Sequence, residues 1–116
     1  SGGFGSIVEY RAQDVAYYNG DSYVERFRLD ADDGTYERYI GGIFMGMEFG
    51  DSFWGALYES GTYKEDERGG ITFSPKKRYD WSANAVVNLG VYDRRSYYGS
   101  VTSTSLTIRD VVYERR

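Results

Sequence analysis

The chain has 116 residues, of which 41% are hydrophobic and 18% aromatic, including 13 tyrosines, so there is apolar mass for a core and the composition argues against disorder. Acidic side chains (18) outnumber basic ones (14) for a net charge of -4, and the two signs are interspersed, which argues against a nucleic-acid partner. Histidine and cysteine are both absent, which excludes the usual serine-hydrolase triad, a thiol nucleophile, a disulfide framework and the common zinc and copper ligands.

Taken in chain order, the sequence shows the period-2 alternation of strands. Tyr23, Glu25, Phe27 and Leu29 share one face, with Arg26 and Arg28 on the other. Ile43, Met45, Met47 and Phe49 predict a second odd-numbered apolar face. A third strand holds Ile71 and Phe73 and is expected to end at Ser74-Pro75. The longest alternation runs through Tyr79, Trp81, Ala83, Ala85, Val87 and Leu89, with a helical turn as the alternative between Trp81 and Leu89 because alanine and asparagine are weak strand formers. Leu106 and Ile108 alternate with Ser105, Thr107 and Arg109 near the end.

Glycine-bearing turn signals separate these runs: Asn19-Gly20, Asp33-Gly34, Gly41-Gly42, Gly50-Asp51, Ser60-Gly61 and Gly69-Gly70. Short strands broken by closely spaced turns predict an all-β meander, and edge closure favours a small antiparallel up-and-down barrel of about eight strands, built as one domain over residues 1–116. Asp33-Gly34-Thr35-Tyr36-Glu37 and Ser60-Gly61-Thr62-Tyr63-Lys64 echo each other and are expected to form equivalent hairpins; no third copy supports a repeat architecture. No apolar run approaches the roughly 20 residues of a membrane span, and Ser1-Gly2-Gly3 carries no signal-peptide pattern, although a signal removed upstream stays open.

Several segments resemble the small lipocalin-like (calycin-type) barrel domains of bacterial secreted proteins and lipoproteins. They are Phe27 to Tyr36, Glu59 to Lys64 with Gly70 to Pro75, and Tyr98 to Val101 with Ser105 to Asp110 and Tyr113 to Arg115. The Gly-x-Trp motif that opens many lipocalins is absent, Gly3-Phe4-Gly5-Ser6 being its nearest counterpart. The resemblance implies a lipocalin-like barrel, a ligand inside it, and a secreted or periplasmic setting.

Candidate chemistry is sparse. Asp30, Asp32, Asp33 and Glu37 offer oxygen donors for calcium, but the spacing is shorter than an EF-hand loop and a solvated hairpin turn is favoured. Glu65-Asp66-Glu67-Arg68 reads as a charged turn. Lys76-Lys77-Arg78 and Arg94-Arg95 would suit an anion at a barrel mouth, with solvated loop charge as the favoured alternative. Glu25, on an otherwise apolar face, must either sit near the mouth or meet Arg, Tyr or a ligand, because an unpaired buried carboxylate is costly.

The expected function is a non-enzymatic binding module holding a small apolar or amphipathic molecule inside the barrel, without cofactor or metal. Its expected lining is Glu25, Phe27, Met45, Met47, Trp54, Tyr79 and Trp81, residues that core packing alone would also select. One alternative is a cyclase or isomerase of the barrel type, with Glu25 and a neighbouring tyrosine as acid and base. The other is a tyrosine-rich protein-interaction or inhibitor domain presenting loops such as Asp93 to Tyr98.

Overall fold

A computed structural model describes residues 6–16 and 22–116. Its strands are β1 (Ile7–Ala16), β2 (Ser22–Asp30), β3 (Thr35–Phe44), β4 (Met47–Phe49), β5 (Ala56–Glu65), β6 (Gly70–Asp80), β7 (Ala85–Asn88), β8 (Tyr97–Val101), β9 (Ser105–Ile108) and β10 (Val111–Arg115). A 3-10 turn, Val91–Asp93, precedes β8, and no α-helix occurs among the described residues. Every pairing is antiparallel. Eight strands run in the order β1-β2-β3-β5-β6-β8-β9-β10, and the ring closes where Tyr10 and Arg11 of β1 pair with Arg115 and Glu114 of β10. Closure leaves the ring without a free edge, the liability that a meander of this length must manage. The short strands β4 and β7 fold back on β3 and β6 outside the ring.

Alternation sets the inward face where it was expected on β2 and β9. Phe27, Leu29 and Leu106 are 1%, 3% and 0% exposed, and Ile71 and Phe73 on β6 are buried with them. Around these pack Tyr10, Tyr36 and Tyr113, with Phe27 to Phe73 and Phe27 to Tyr113 ring centroids both 5.1 Å apart. This aromatic packing fills the barrel from the β2–β3 turn to its middle. A second cluster forms at the opposite end, where Ile40, Phe44 and Phe49 meet Tyr58, Tyr79 and Trp81.

The structure corrects four expectations. The run from Ile43 to Phe49 is a hairpin, because Met45 (φ 55°) and Gly46 (φ 79°) form a two-residue turn that reverses the chain. Phe44 and Phe49 are therefore buried, whereas Ile43, Met45 and Met47 are exposed. The run from Tyr79 to Leu89 is likewise a hairpin: residues 81–84 form a turn, Asn84 takes a left-handed backbone (φ 53°), and Asp80 pairs with Ala85. Pro75 does not end its strand. It pairs with Gly61 beside a bulge that skips Lys76, which is how a strand accommodates a residue without an N–H.

Gly41-Gly42 and Ser60-Gly61, the fourth correction, lie inside strands, and their glycines serve close approach rather than chain reversal. A Cβ on Gly41 would lie 2.0 Å from the Asp51 carbonyl oxygen, and one on Gly61 would lie 2.1 Å from that of Ser74. The two echoing segments are accordingly not equivalent hairpins. They are neighbours across β3 and β5, with Thr35 opposite Thr62 and Tyr36 opposite Gly61. Asp33-Gly34, Gly50-Asp51 and Gly69-Gly70 do reverse the chain, while Asn19-Gly20 lies outside the described residues.

The loop from Gly50 to Gly55 lies across the outside of the barrel. Asp51 Oδ1 accepts hydrogen bonds from the Phe53 and Trp54 amides, holding its carboxyl below the usual range. Arg11 donates to the Phe53 carbonyl and Arg26 to that of Trp54, with the Arg11 guanidinium 4.3 Å from the Phe53 ring centre. Trp54 thus stands outside the barrel, 59% exposed.

Candidate functional site

At the end where β2 and β8 begin and β9 turns into β10, the barrel interior becomes polar. Glu25 on β2 and Glu59 on β5 are 1% and 0% exposed, and Arg38 on β3 lies between them. Burying two carboxylates in a barrel of this size is tolerable only if each is paired and fully hydrogen-bonded, and both are. The Arg38 Nε donates to Glu25 Oε2, and its Nη1 lies 3.5 Å from Glu59 Oε1. Arg78, from the end of β6, donates from Nε to the same Glu59 oxygen at 2.9 Å. The Tyr36 hydroxyl donates to Glu59 Oε2 at 2.7 Å, and Tyr97 donates to that oxygen too. The Tyr113 hydroxyl donates to Glu25 Oε1 at 2.9 Å.

These contacts fix the protonation states. Burial alone would raise the Glu59 carboxyl, but Arg38, the two tyrosine hydroxyls and Arg78 outweigh it and hold the group below its ordinary range. Burial pushes the Tyr36, Tyr97 and Tyr113 phenols far up, and the carboxylates they face add to the effect. Burial disfavours the Arg38 cation, yet Glu25 and the groups around it raise its pKa well above the ordinary value.

Above this network opens a cleft of about 410 Å3. Its walls are Tyr23, Phe27, Tyr97, Ile108, Val111 and Tyr113, its floor is Glu25, Arg38 and Glu59, and Arg78, Arg95, Ser96 and Arg109 stand around it. A mixed lining of aromatic faces with a few convergent polar groups is what small-molecule sites present. A groove of about 510 Å3 also crosses the outer surface of β2, β3 and β5 among Arg28, Glu37, Ser60, Lys76 and Lys77, the two lysines being exposed.

Of the residues expected to line the interior, Glu25 and Phe27 do so, and Glu25 meets both an arginine and a tyrosine, as its burial required. Tyr79 and Trp81 pack on Phe49, with ring centroids 4.7 and 5.6 Å from it, in the second cluster instead of the cleft. Met45, Met47 and Trp54 are outside the interior altogether, the methionines because the chain turns at Met45-Gly46 and the tryptophan because its loop runs over the outer surface. Of the basic runs, Arg78 and Arg95 reach the cleft; Lys76 and Lys77 do not, and Arg94 donates to the Leu89 carbonyl. Asp30 and Asp66 accept backbone N–H groups within their own turns. Val91, Tyr92 and Tyr98, near the loop singled out for protein contacts, are 78%, 88% and 70% exposed.

Sequence reasoning missed Arg38, Glu59, Arg78, Tyr36, Tyr97 and Tyr113 as a unit. A signal existed in the alternation Tyr36, Arg38, Ile40, which puts Arg38 on the same face as two core residues and so marks it as a buried cation needing a carboxylate. No protein-family model, curated protein or solved structure matches the chain.

Proposed function

We propose that the protein is a binding module of lipocalin-like type, which holds a small amphipathic molecule in the cleft at the open end of its barrel. The observation that carries this reading is the cleft itself. Its volume falls within the roughly 300–1,000 Å3 usual for ligand sites, and its aromatic walls stand over a floor whose polar atoms are already satisfied. A floor of that kind does not collapse when the site is empty, so little ordering accompanies binding. The lipocalin-like part of the reading rests on the hairpins that carry the resemblance, which coincide with β2–β3, β5–β6 and β8–β10.

Carriage is favoured over proton-transfer chemistry because Tyr97 and Tyr113 in the cleft are pushed up and Glu59 is pulled down, away from the neutral range in which an acid or base works best. The test is a titration with N-phenyl-1-naphthylamine, an apolar fluorescent amine, against the protein and against Val111→Trp, whose ring would occupy the cleft. Stoichiometric binding lost in Val111→Trp, with strand content retained, is the expected result. Equal binding by both proteins would place the probe elsewhere and overturn the reading.

A further inference from the structure

The charges around the cleft do not balance. Glu25 and Glu59 are each engaged by Arg38, and Arg78 adds a second cation to Glu59. Arg95 and Arg109 also line the cleft, and neither makes a hydrogen bond or ion pair among the described residues. Two unspent guanidiniums thus face one opening in a protein whose net charge is -4. The overall field of the molecule does not draw anions, so attraction at this mouth is local.

Arg109 carries a second mark. It is the first central residue of the two-residue turn between Ile108 and Val111, with a backbone φ of 54°, a conformation that glycine adopts freely and a residue with a Cβ rarely adopts. Arg109 lines the cleft from this turn, and Arg95 lines it from the loop before β8. Guanidiniums are weakly hydrated and present forked donors that match the oxygens of a carboxylate, sulfonate or phosphate.

We infer that the ligand is an amphipathic anion, its charged oxygens held by Arg95 and Arg109 at the mouth and its apolar body lying against Tyr23, Tyr97 and Phe27. This rests on the cleft being the binding site. The orientation follows from which donors are free: Arg38 and Arg78 at the floor are already engaged by Glu25 and Glu59, whereas Arg95 and Arg109 are not, so the anion stays with them at the rim and the apolar end goes in. Long, wholly apolar chains are disfavoured, because Phe27, Tyr36 and Phe73 close the barrel below the floor.

The experiment compares two probes of one ring system, 8-anilinonaphthalene-1-sulfonate and N-phenyl-1-naphthylamine, which differ by the sulfonate. The protein is expected to bind the sulfonate at least about tenfold more tightly than the neutral amine, equivalent to about 1.4 kcal/mol. In Arg95→Gln/Arg109→Gly that ratio should fall toward one, while thermal stability holds or rises because glycine relieves the turn. Should the double change unfold the chain, Arg95→Gln alone, on an exposed loop, reads the same ratio and should lower it at least about threefold. A ratio near one in the unaltered protein, or a ratio that the substitutions leave untouched, overturns the anion assignment and leaves the cleft as a site for neutral molecules. Failure of both probes to bind overturns the binding reading and this inference with it.

Discussion

Replacing Glu59 by glutamine changes one atom and should nevertheless rank among the more damaging single substitutions in this protein. Both carboxylate oxygens face donors only: Oε1 accepts from Arg78 and lies near Arg38, and Oε2 accepts from Tyr36 and Tyr97. Turned one way, the amide NH2 points at Arg78 and Arg38, which can only donate; turned the other, it points at two hydroxyls that must reverse to accept it, and either way the arginine pair loses a buried counter-charge. Breaking a buried pair by removing one partner costs about 3–5 kcal/mol. Arg38 and Arg78 keep 22% and 31% side-chain exposure, so water recovers part of the loss and the low end, about 3 kcal/mol, is expected. The assay is urea unfolding followed by tryptophan fluorescence.

The same experiment has a pH signature. Because the fold lowers the Glu59 pKa, the carboxylate contributes stability above its ordinary value of 4.5, and that contribution is lost as the pH falls through the lower, folded value. The gap between the protein and Glu59→Gln should therefore be constant from neutrality to about pH 5 and narrow below it. In a Tyr36→Phe/Tyr97→Phe background the amide meets no hydroxyls, so the added cost should shrink by at least about 1 kcal/mol. A loss below about 1 kcal/mol, or strict additivity of the three changes, would refute the network as a stabilising unit.

Leu106→Ala should cost about 2–5 kcal/mol because the side chain is fully enclosed, whereas Thr107→Ala, on the outer face, should cost under about 1 kcal/mol in the same unfolding assay. Met45→Asn places Asn-Gly in the β3–β4 turn, where a left-handed backbone is required, and should raise stability by up to about 1 kcal/mol without altering probe uptake. On the alkaline side, Tyr36, Tyr97 and Tyr113 stay protonated in the fold while their unfolded counterparts ionise above the ordinary value of 10.0. Stability should then fall by about 4 kcal/mol per pH unit above that point, and ultraviolet titration should show a late, cooperative group of phenols that ionises only on unfolding.

The barrel was legible because alternation and turn spacing are local signals. On β2 and β9, where the pattern is regular and one face is buried, each predicted inward residue is inward. The errors fall where a short hairpin mimics a strand. A two-residue turn preserves the odd–even rhythm in the sequence while inverting the faces, so Ile43 stands on the face opposite Phe49 and Met45 stands in the turn itself, while Met47, on the face of Phe49, is exposed beside the turn. Gly41 and Gly61 misled in the opposite way: each was read as a turn, but close backbone approach inside a sheet demands the same residue. The site was legible only through Glu25. Its partners lie on other strands at separations up to Tyr113, and a pairing of that kind depends on barrel closure, which no single segment encodes.

The central claim is that a ligand sits in the cleft between Tyr23, Tyr97 and the β9–β10 turn, and amide chemical-shift mapping on the isotope-labelled protein tests it most directly. Adding 8-anilinonaphthalene-1-sulfonate should shift a compact set of resonances that includes Tyr23, Tyr97, Ile108, Arg109 and Val111. Shifts centred on Arg28 and Lys77 in the outer groove, or on Phe53 and Trp54, would contradict it, as would a spectrum that does not change.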